Sequence, residues 1–79
     1  MHTIATLRKG EKGIIQEFEI EAIPLKLVEM GCLPGSVVEL VQFAPFNDPL
    51  YINIDGSYVS IRKETAVQIS IQKIAESNL

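Results

Sequence analysis

Met30-Gly31-Cys32-Leu33-Pro34-Gly35 separates a short helical pattern from a β-patterned segment. Gly31 stands where the end of a helix needs a left-handed residue, because glycine adopts that backbone conformation without steric cost. Pro34-Gly35 then predicts a turn through which a helix cannot continue. The stretch therefore predicts a helix that ends near Met30 and a strand that begins near Ser36.

On the N-terminal side of this stretch, the sequence predicts one strand and then the helix. Residues 13–20 alternate, with Ile14, Phe18 and Ile20 on one face and glutamates on the other, which is typical of a half-buried strand. The helical pattern covers residues 23–30, and Pro24 suits its first turn.

On the C-terminal side, alternation of apolar residues predicts the remaining strands. They are residues 36–43, 50–54, 58–62 and 67–72. The first of them is apolar on both faces, which is typical of a central strand. Asp55-Gly56 has the preferred chemistry of a tight hairpin turn, and residues 63–66 predict one helical turn before the last strand.

This order of elements indicates a mainly β fold, namely a small SH3-like antiparallel β-barrel with one short α-helix after the first strand. An OB-like barrel is the competing architecture, but its helix normally lies between the third and fourth strands. With 79 residues the chain forms a single domain, 1–79, whose tail beyond about residue 74 we expect to fray. We also expect closure of the sheet to protect its edges.

Composition excludes several classes of function. The net charge of −3 and the pI near 5.0 argue against a nucleic-acid-binding surface, because phosphate contacts dominate such affinity. The single cysteine permits no internal disulfide, which favours a reducing cytoplasm. No apolar run approaches the roughly 20 residues that cross a bilayer, so any membrane role goes through a partner.

We find no arrangement of residues suited to catalysis. His2 is the only histidine and lies at a terminus that we expect to be disordered, and we interpret Cys32 as a small core residue. Glu17, Glu19 and Glu21 share one face of the predicted first strand, which we interpret as a solvated face and not as a cation site. The sequence thus predicts no enzyme, no cofactor and no metal site.

Nearly the whole chain resembles the FeoA family of small cytosolic proteins that accompany bacterial ferrous iron uptake. The resemblance is strongest in three motifs, which are Leu27-x-x-Met30-Gly31-x-Leu33-Pro34-Gly35, Ala44-Pro45-x-x-Asp48-Pro49 and Ile61-Arg62. It implies a non-enzymatic accessory protein that binds the cytosolic GTP-binding region of the FeoB transporter and modulates its assembly or GTP cycle. Similar barrels are C-terminal domains of iron-dependent repressors, so a regulatory protein-interaction module is the alternative.

Five residues are candidates for contact with a partner: Lys26, Phe46, Asp48, Tyr58 and Arg62. Two prolines restrict the loop 44–49 before binding, which lowers the entropy cost of docking it. Phe46 at the centre of this loop is either a partner anchor or a core side chain. Arg62 shares a strand face with Tyr58 and pairs either with an acidic partner or with this protein's own acids. The oligomeric state is left open.

Overall fold

The computed structural model describes residues 2–74, which form six strands and two short helices. The strands are β1 (His2–Thr3), β2 (Lys12–Ile15), β3 (Val37–Phe43), β4 (Leu50–Ile54), β5 (Ser57–Ile61) and β6 (Ser70–Lys73). Helix α1 (Leu25–Glu29) links β2 to β3, and helix α2 (Lys63–Ala66) links β5 to β6. Three 3₁₀ turns complete the path, at Ile4–Thr6, Ile20–Ala22 and Pro45–Asn47. The tail that we expected to fray lies outside the described residues.

All six strands belong to one antiparallel sheet, in the order β1-β6-β2-β3-β4-β5. Strand β3 lies between two neighbours, which confirms that it is central. Its register with β4 shifts between Leu40 and Gln42, where an irregularity bends the strand. The architecture is therefore the mainly β, strongly bent antiparallel sheet that the sequence predicts.

The stretch around Gly31 behaves as predicted. Gly31 has a φ of +108°, and its N–H donates to the carbonyl oxygen of Val28 at 3.1 Å, which ends α1. Gly35 has a φ of +94° and donates to the carbonyl oxygen of Ile15 at 2.8 Å, so the turn is tied to the end of β2. The helix is shorter than expected, because Pro24 is its N-cap and not a residue of its first turn.

The predicted hairpin between β4 and β5 is confirmed. Asp55 and Gly56 have φ values of 50° and 90°, so both central residues of the turn are left-handed, and Ile54 pairs with Ser57. The side-chain oxygen of Asn53 accepts the N–H of Gly56 at 2.9 Å, which fixes the turn further.

The core is built from inward side chains of the strands together with Leu27 of α1, Ala66 of α2 and Ile4 of the Ile4–Thr6 turn. Its largest fully buried side chains are Ile4, Leu7, Ile15, Cys32, Val38, Leu40, Leu50, Ile52, Ile54 and Ile69. Cys32 is 0% exposed, which confirms its interpretation as a core residue.

Gly13 of β2 also faces inward, and a Cβ built there would lie 2.5 Å from Cδ1 of Ile71 on β6. A side chain at this position would therefore have to displace the Ile71 side chain and would crowd the backbone of β6.

The prediction of a strand over residues 13–20 is wrong beyond Ile15. Ile15 is buried, whereas Ile20 is 57% exposed and lies in a 3₁₀ turn. The reason is that β3, which pairs with β2 up to Ile14 and Val37, is preceded by the turn at Pro34-Gly35. The segment before β3 therefore turns away and leaves residues 17–19 without a ladder partner. Glu17, Glu19 and Glu21 consequently do not share a strand face.

The expectation of a disordered His2 is also wrong. His2 and Thr3 form β1 by pairing with Ile71 and Ser70 of β6. The Thr3 hydroxyl oxygen accepts the N–H of Ala5 at 3.2 Å and so starts the turn that follows.

The last strand begins at Ser70 and not at Val67, because α2 extends its hydrogen bonds through Val67.

Candidate functional site: an edge groove and a projecting loop

A groove of about 360 Å³ lies between α1 and β5, and we call it the edge groove. Its lining residues are Pro24, Lys26, Leu27, Met30, Tyr58, Val59, Ser60, Ile61, Arg62 and Thr65. Three of the five predicted contact residues, Lys26, Tyr58 and Arg62, thus come together from two separate parts of the chain. The helix stop at Gly31 and the hairpin at Asp55-Gly56 position the two walls.

Arg62 and Asp48 form the ion pair that the sequence left as one of two options. The distance from Arg62 Nη1 to Asp48 Oδ2 is 3.8 Å, and the two side chains are 69% and 39% exposed. The other carboxylate oxygen, Oδ1, accepts the N–H of Lys63 at 3.0 Å. Asp48 does not line the edge groove; it orients Arg62 and caps the first residue of α2.

Lys26 on α1 and Tyr58 on β5 line the two walls of the edge groove, and both are exposed. Tyr58 is 73% exposed. Lys26 is exposed on α1 and forms no ion pair within residues 2–74. Lys26 and Arg62 are the charged residues in the lining, and Asp48 offsets only the charge of Arg62, so the edge groove keeps an unpaired cation, Lys26, in a protein whose net charge is −3.

Phe46 projects from the loop between β3 and β4. Its side chain is 99% exposed, so the alternative that it belongs to the core is wrong. Its φ is +67° and that of Asn47 is +65°, a conformation that is unusual for a bulky residue. Ala44, at 7% exposure, is the residue of the loop that reaches the core. Phe46 is not part of the edge groove lining, so it forms a second, separate surface.

Groups with catalytic chemistry do not converge in the part of the chain that the structure describes. Among residues 2–74, no three His, Cys, Asp or Glu side chains are grouped to hold a metal ion. Burial raises the pKa of the Cys32 thiol to about 11, so the thiol stays protonated and is a poor nucleophile. No helix in the same range is long and apolar enough to span a membrane.

The carboxyl of Glu11 also has a shifted pKa, and the contacts that shift it hold the fold together. The N–H of Arg8 donates to Glu11 Oε1 at 2.7 Å, which is the main reason that the pKa of Glu11 is lowered. Lys73 Nζ lies 3.2 Å from the same oxygen and adds to the effect. These contacts fasten the start of β2 to the end of β6, far along the sheet from the edge groove.

Sequence reasoning missed several residues of the edge groove. Met30 and Leu27 could be recognised as the apolar face of α1, but nothing in the sequence indicates that β5 passes beside that face. Ser60 carries no signal at all, because a small polar residue on a strand is compatible with any exposed position. Only the packing of α1 against the end of the sheet brings these residues together.

The fold defines a small SH3-like domain. The structure of Stenotrophomonas maltophilia FeoA in complex with zinc, described as an SH3 domain protein, has a TM-score of 0.72 with this chain at 21% identity and covers 91% of each chain. The chain belongs to the FeoA family, because the family model of the FeoA domain matches residues 2–73. FeoA proteins are accessory proteins of ferrous iron transport and not an enzyme family.

Other proteins are similar to this chain to different extents. A fusion of Fe(2+) transport protein A and the Fe(2+) transporter FeoB from Porphyromonas gingivalis is 32% identical over 75 residues, which are 94% of this chain and 9% of that protein. The chain thus spans a small part of this curated relative. The solution structure of FeoA from Chlorobium tepidum has a TM-score of 0.84 at 22% identity, covering 98% of this chain and 74% of that one.

The fold also occurs in a different class of protein. A manganese-dependent transcriptional repressor has a TM-score of 0.75 at 16% identity, covering 92% of this chain and 41% of that one. At this identity the likeness shows the fold alone.

Proposed function

We propose that this protein is a cytosolic, non-enzymatic accessory protein of bacterial ferrous iron uptake that binds the cytosolic region of a FeoB-type transporter. The observation that carries the proposal is the fusion protein of P. gingivalis, in which a segment 32% identical to this chain is joined to FeoB. Covalent linkage keeps two modules at a high effective concentration, so a fusion favours pairs that work in contact.

Docking would involve the two exposed surfaces of this chain. The edge groove offers apolar walls with two cations, and Phe46 offers an aromatic side chain that is 99% exposed. Aromatic and arginine side chains dominate the energetics of many protein interfaces. Lys26, Phe46, Asp48, Tyr58 and Arg62 are therefore our candidate contact residues, with Asp48 acting by positioning Arg62.

An accessory protein of this kind shifts its partner's equilibrium only if it binds two states of that partner with different affinity. For a transporter with a GTP-binding region, those states are the GDP-bound and GTP-bound forms. The proposed role is to bias the assembly or the GTP cycle of the transporter in this way.

Calorimetric titration of this protein into the FeoB cytosolic region from the same source tests the proposal. The titration is run once with GDP and once with a non-hydrolysable GTP analogue. Affinity that differs between the two indicates that the protein reads the nucleotide state, and equal affinity indicates a constitutive subunit. Absence of binding in both would contradict the proposal.

A second candidate, implied by the resemblance of the sequence to the barrels of iron-dependent repressors, is a regulatory module that docks on a soluble protein; the structural likeness to a repressor shows only a shared fold. Affinity capture from a lysate of the source organism, with FeoB-containing membranes and soluble fractions analysed separately, distinguishes the two. Recovery of a soluble regulator with no transporter favours the second candidate.

A further inference from the structure

Strand β5 is one end of the sheet. The sheet order places β4 on one side of β5 and no strand of residues 2–74 on the other. The expectation that the sheet closes and protects its edges is therefore wrong for this strand. An open edge carries main-chain groups that can pair with another chain.

The hairpin register shows which groups these are. In a hairpin with a two-residue turn, the residues that flank the turn exchange main-chain hydrogen bonds, and hydrogen-bonded pairs then alternate with pairs that are not. Ile54 pairs with Ser57 next to the turn, followed by Asn53 with Tyr58 and Ile52 with Val59. The N–H and C=O groups of Tyr58, and by the same alternation those of Ser60, therefore point away from β4.

The edge groove runs along this open side. Four successive residues of β5, from Tyr58 to Ile61, line it. Successive residues of a strand point to opposite faces of a sheet, so a groove that touches all of them follows the edge of the strand and not one face. No main-chain hydrogen bond from within residues 2–74 reaches Tyr58 or Ser60 on this side.

The charges of the edge groove select its occupant. Its charged lining residues are Lys26, which forms no ion pair within the described range, and Arg62, whose guanidinium lies 3.8 Å from Asp48 but is 69% exposed and so still open to a second carboxylate. A second copy that paired edge to edge would bring two such cationic grooves together, which like charges disfavour. An extended segment with acidic side chains fits both the open edge and the charge.

We propose that β5 takes up an extended acidic segment of a partner protein as an added strand in the edge groove. Tyr58 and Ser60 exchange main-chain hydrogen bonds with the segment, Lys26 pairs with its carboxylates, and the exposed guanidinium of Arg62 contacts a further carboxylate while keeping Asp48 as its neighbour. The inference rests on the proposed function in assuming that the chain acts by docking, but it does not depend on which protein supplies the segment.

The first experiment selects ligands from a library of random linear ten-residue peptides on the immobilised protein. We expect enriched peptides to carry Asp or Glu at alternate positions and to contain no proline at the paired positions. Enrichment of basic or proline-rich peptides, or no enrichment, would overturn the proposal. Slowed hydrogen exchange of the Tyr58 and Ser60 amides at high protein concentration, without peptide, would show that a second copy occupies the edge. That result would also overturn the proposal.

The second experiment separates main-chain pairing from side-chain contact in the best selected peptide. Ser60→Pro removes an outward N–H but no bond to β4, and proline is tolerated on edge strands. Ser60→Ala is the matched control, since it removes the hydroxyl and keeps the N–H. We expect at least a tenfold loss of affinity for Ser60→Pro and less than twofold for Ser60→Ala. Equal affinities would overturn the proposal.

Amide hydrogen exchange in the unmodified protein provides a readout that does not depend on the fold of Ser60→Pro. Bound peptide should slow exchange at Tyr58 and Ser60 at least tenfold and leave Val59, already bonded to β4, nearly unchanged. The same measurement with the FeoB cytosolic region distinguishes the two proposals. If that region binds without protecting Tyr58 and Ser60, strand addition is refuted and the proposed function is kept. If a selected peptide protects Tyr58 and Ser60 but the FeoB cytosolic region does not bind, only the proposed partner is refuted.

Discussion

The guanidinium of Arg62 lies 3.8 Å from the carboxylate of Asp48, which joins the residue after β5 to the loop before β4. The same carboxylate accepts the N–H of Lys63 at 3.0 Å. One side chain thus holds the end of β5, the start of α2 and the loop together, and it sets the direction from which Arg62 enters the edge groove.

Replacing Asp48 should cost stability mainly through the lost cap. We expect Asp48→Ala to lower the free energy of unfolding by about 1 kcal/mol, because a capping side chain is worth this much while an exposed ion pair contributes about 0–1 kcal/mol. Asp48→Asn keeps an acceptor for Lys63 and should cost less. Urea denaturation measures both, and an equal cost for the two variants would show that the charge, not the cap, stabilises this corner.

Phe46→Ala should leave folding intact and weaken partner binding. A side chain that is 99% exposed contributes little to stability, so we expect a change within about 0.5 kcal/mol in thermal or urea unfolding. Affinity for the FeoB cytosolic region should fall at least tenfold if Phe46 anchors the interface. Phe18→Ala is the control, because Phe18 packs against the core and its loss should lower stability instead.

Charge reversal at Lys26 should act on binding and not on folding. Lys26 lines the edge groove and forms no ion pair within residues 2–74, so Lys26→Glu removes a cation from the groove without breaking a contact. We expect weaker partner binding in low salt and a smaller difference in high salt, where exposed charges are screened. Lys9→Glu changes the net charge equally outside the groove; an equal loss in that variant would exclude a local role for Lys26.

Alkaline pH should destabilise the protein through Cys32. Burial raises the pKa of this thiol from 9.0 to about 11, so above pH 9 the unfolded chain loses its proton while the folded chain keeps it. The stabilising contribution is complete below pH 9 and is lost as the pH rises towards 11, by up to about 3 kcal/mol. Cys32→Ala should flatten this part of the profile measured by urea denaturation, and an unchanged slope in that variant would contradict the assignment.

Gly13→Ala should be destabilising because β6 passes too close. The added Cβ would lie 2.5 Å from Cδ1 of Ile71 and 3.3 Å from the carbonyl oxygen of Gln72. Overpacking of this kind costs about 1–3 kcal/mol. Ile71→Val removes the Cδ1 atom, so the double variant should be more stable than the sum of the two single changes predicts. Additive losses of stability would show that the added Cβ clashes with the backbone of β6 and not with the side chain of Ile71.

The sequence by itself determined the elements whose causes are local. Gly31 and Gly35 end a helix and make a turn by backbone conformation, Asp55-Gly56 closes a hairpin, and strand alternation identified β3, β4 and β5. The motifs around these residues also identified the FeoA family. Each of these features depends on residues only a few positions apart, so it can be read from a single chain.

Tertiary structure decided what depends on distant neighbours. Residues 17–19 alternate like a strand, but the chain beside them turns away, while His2 and Thr3 show no pattern and still form β1 because β6 offers them partners. The open edge of β5 and the groove beside α1 arise from the sheet order, which no local pattern encodes. The physical reason is that main-chain hydrogen bonds are satisfied by whichever segment lies alongside, and only the folded chain determines which segment that is.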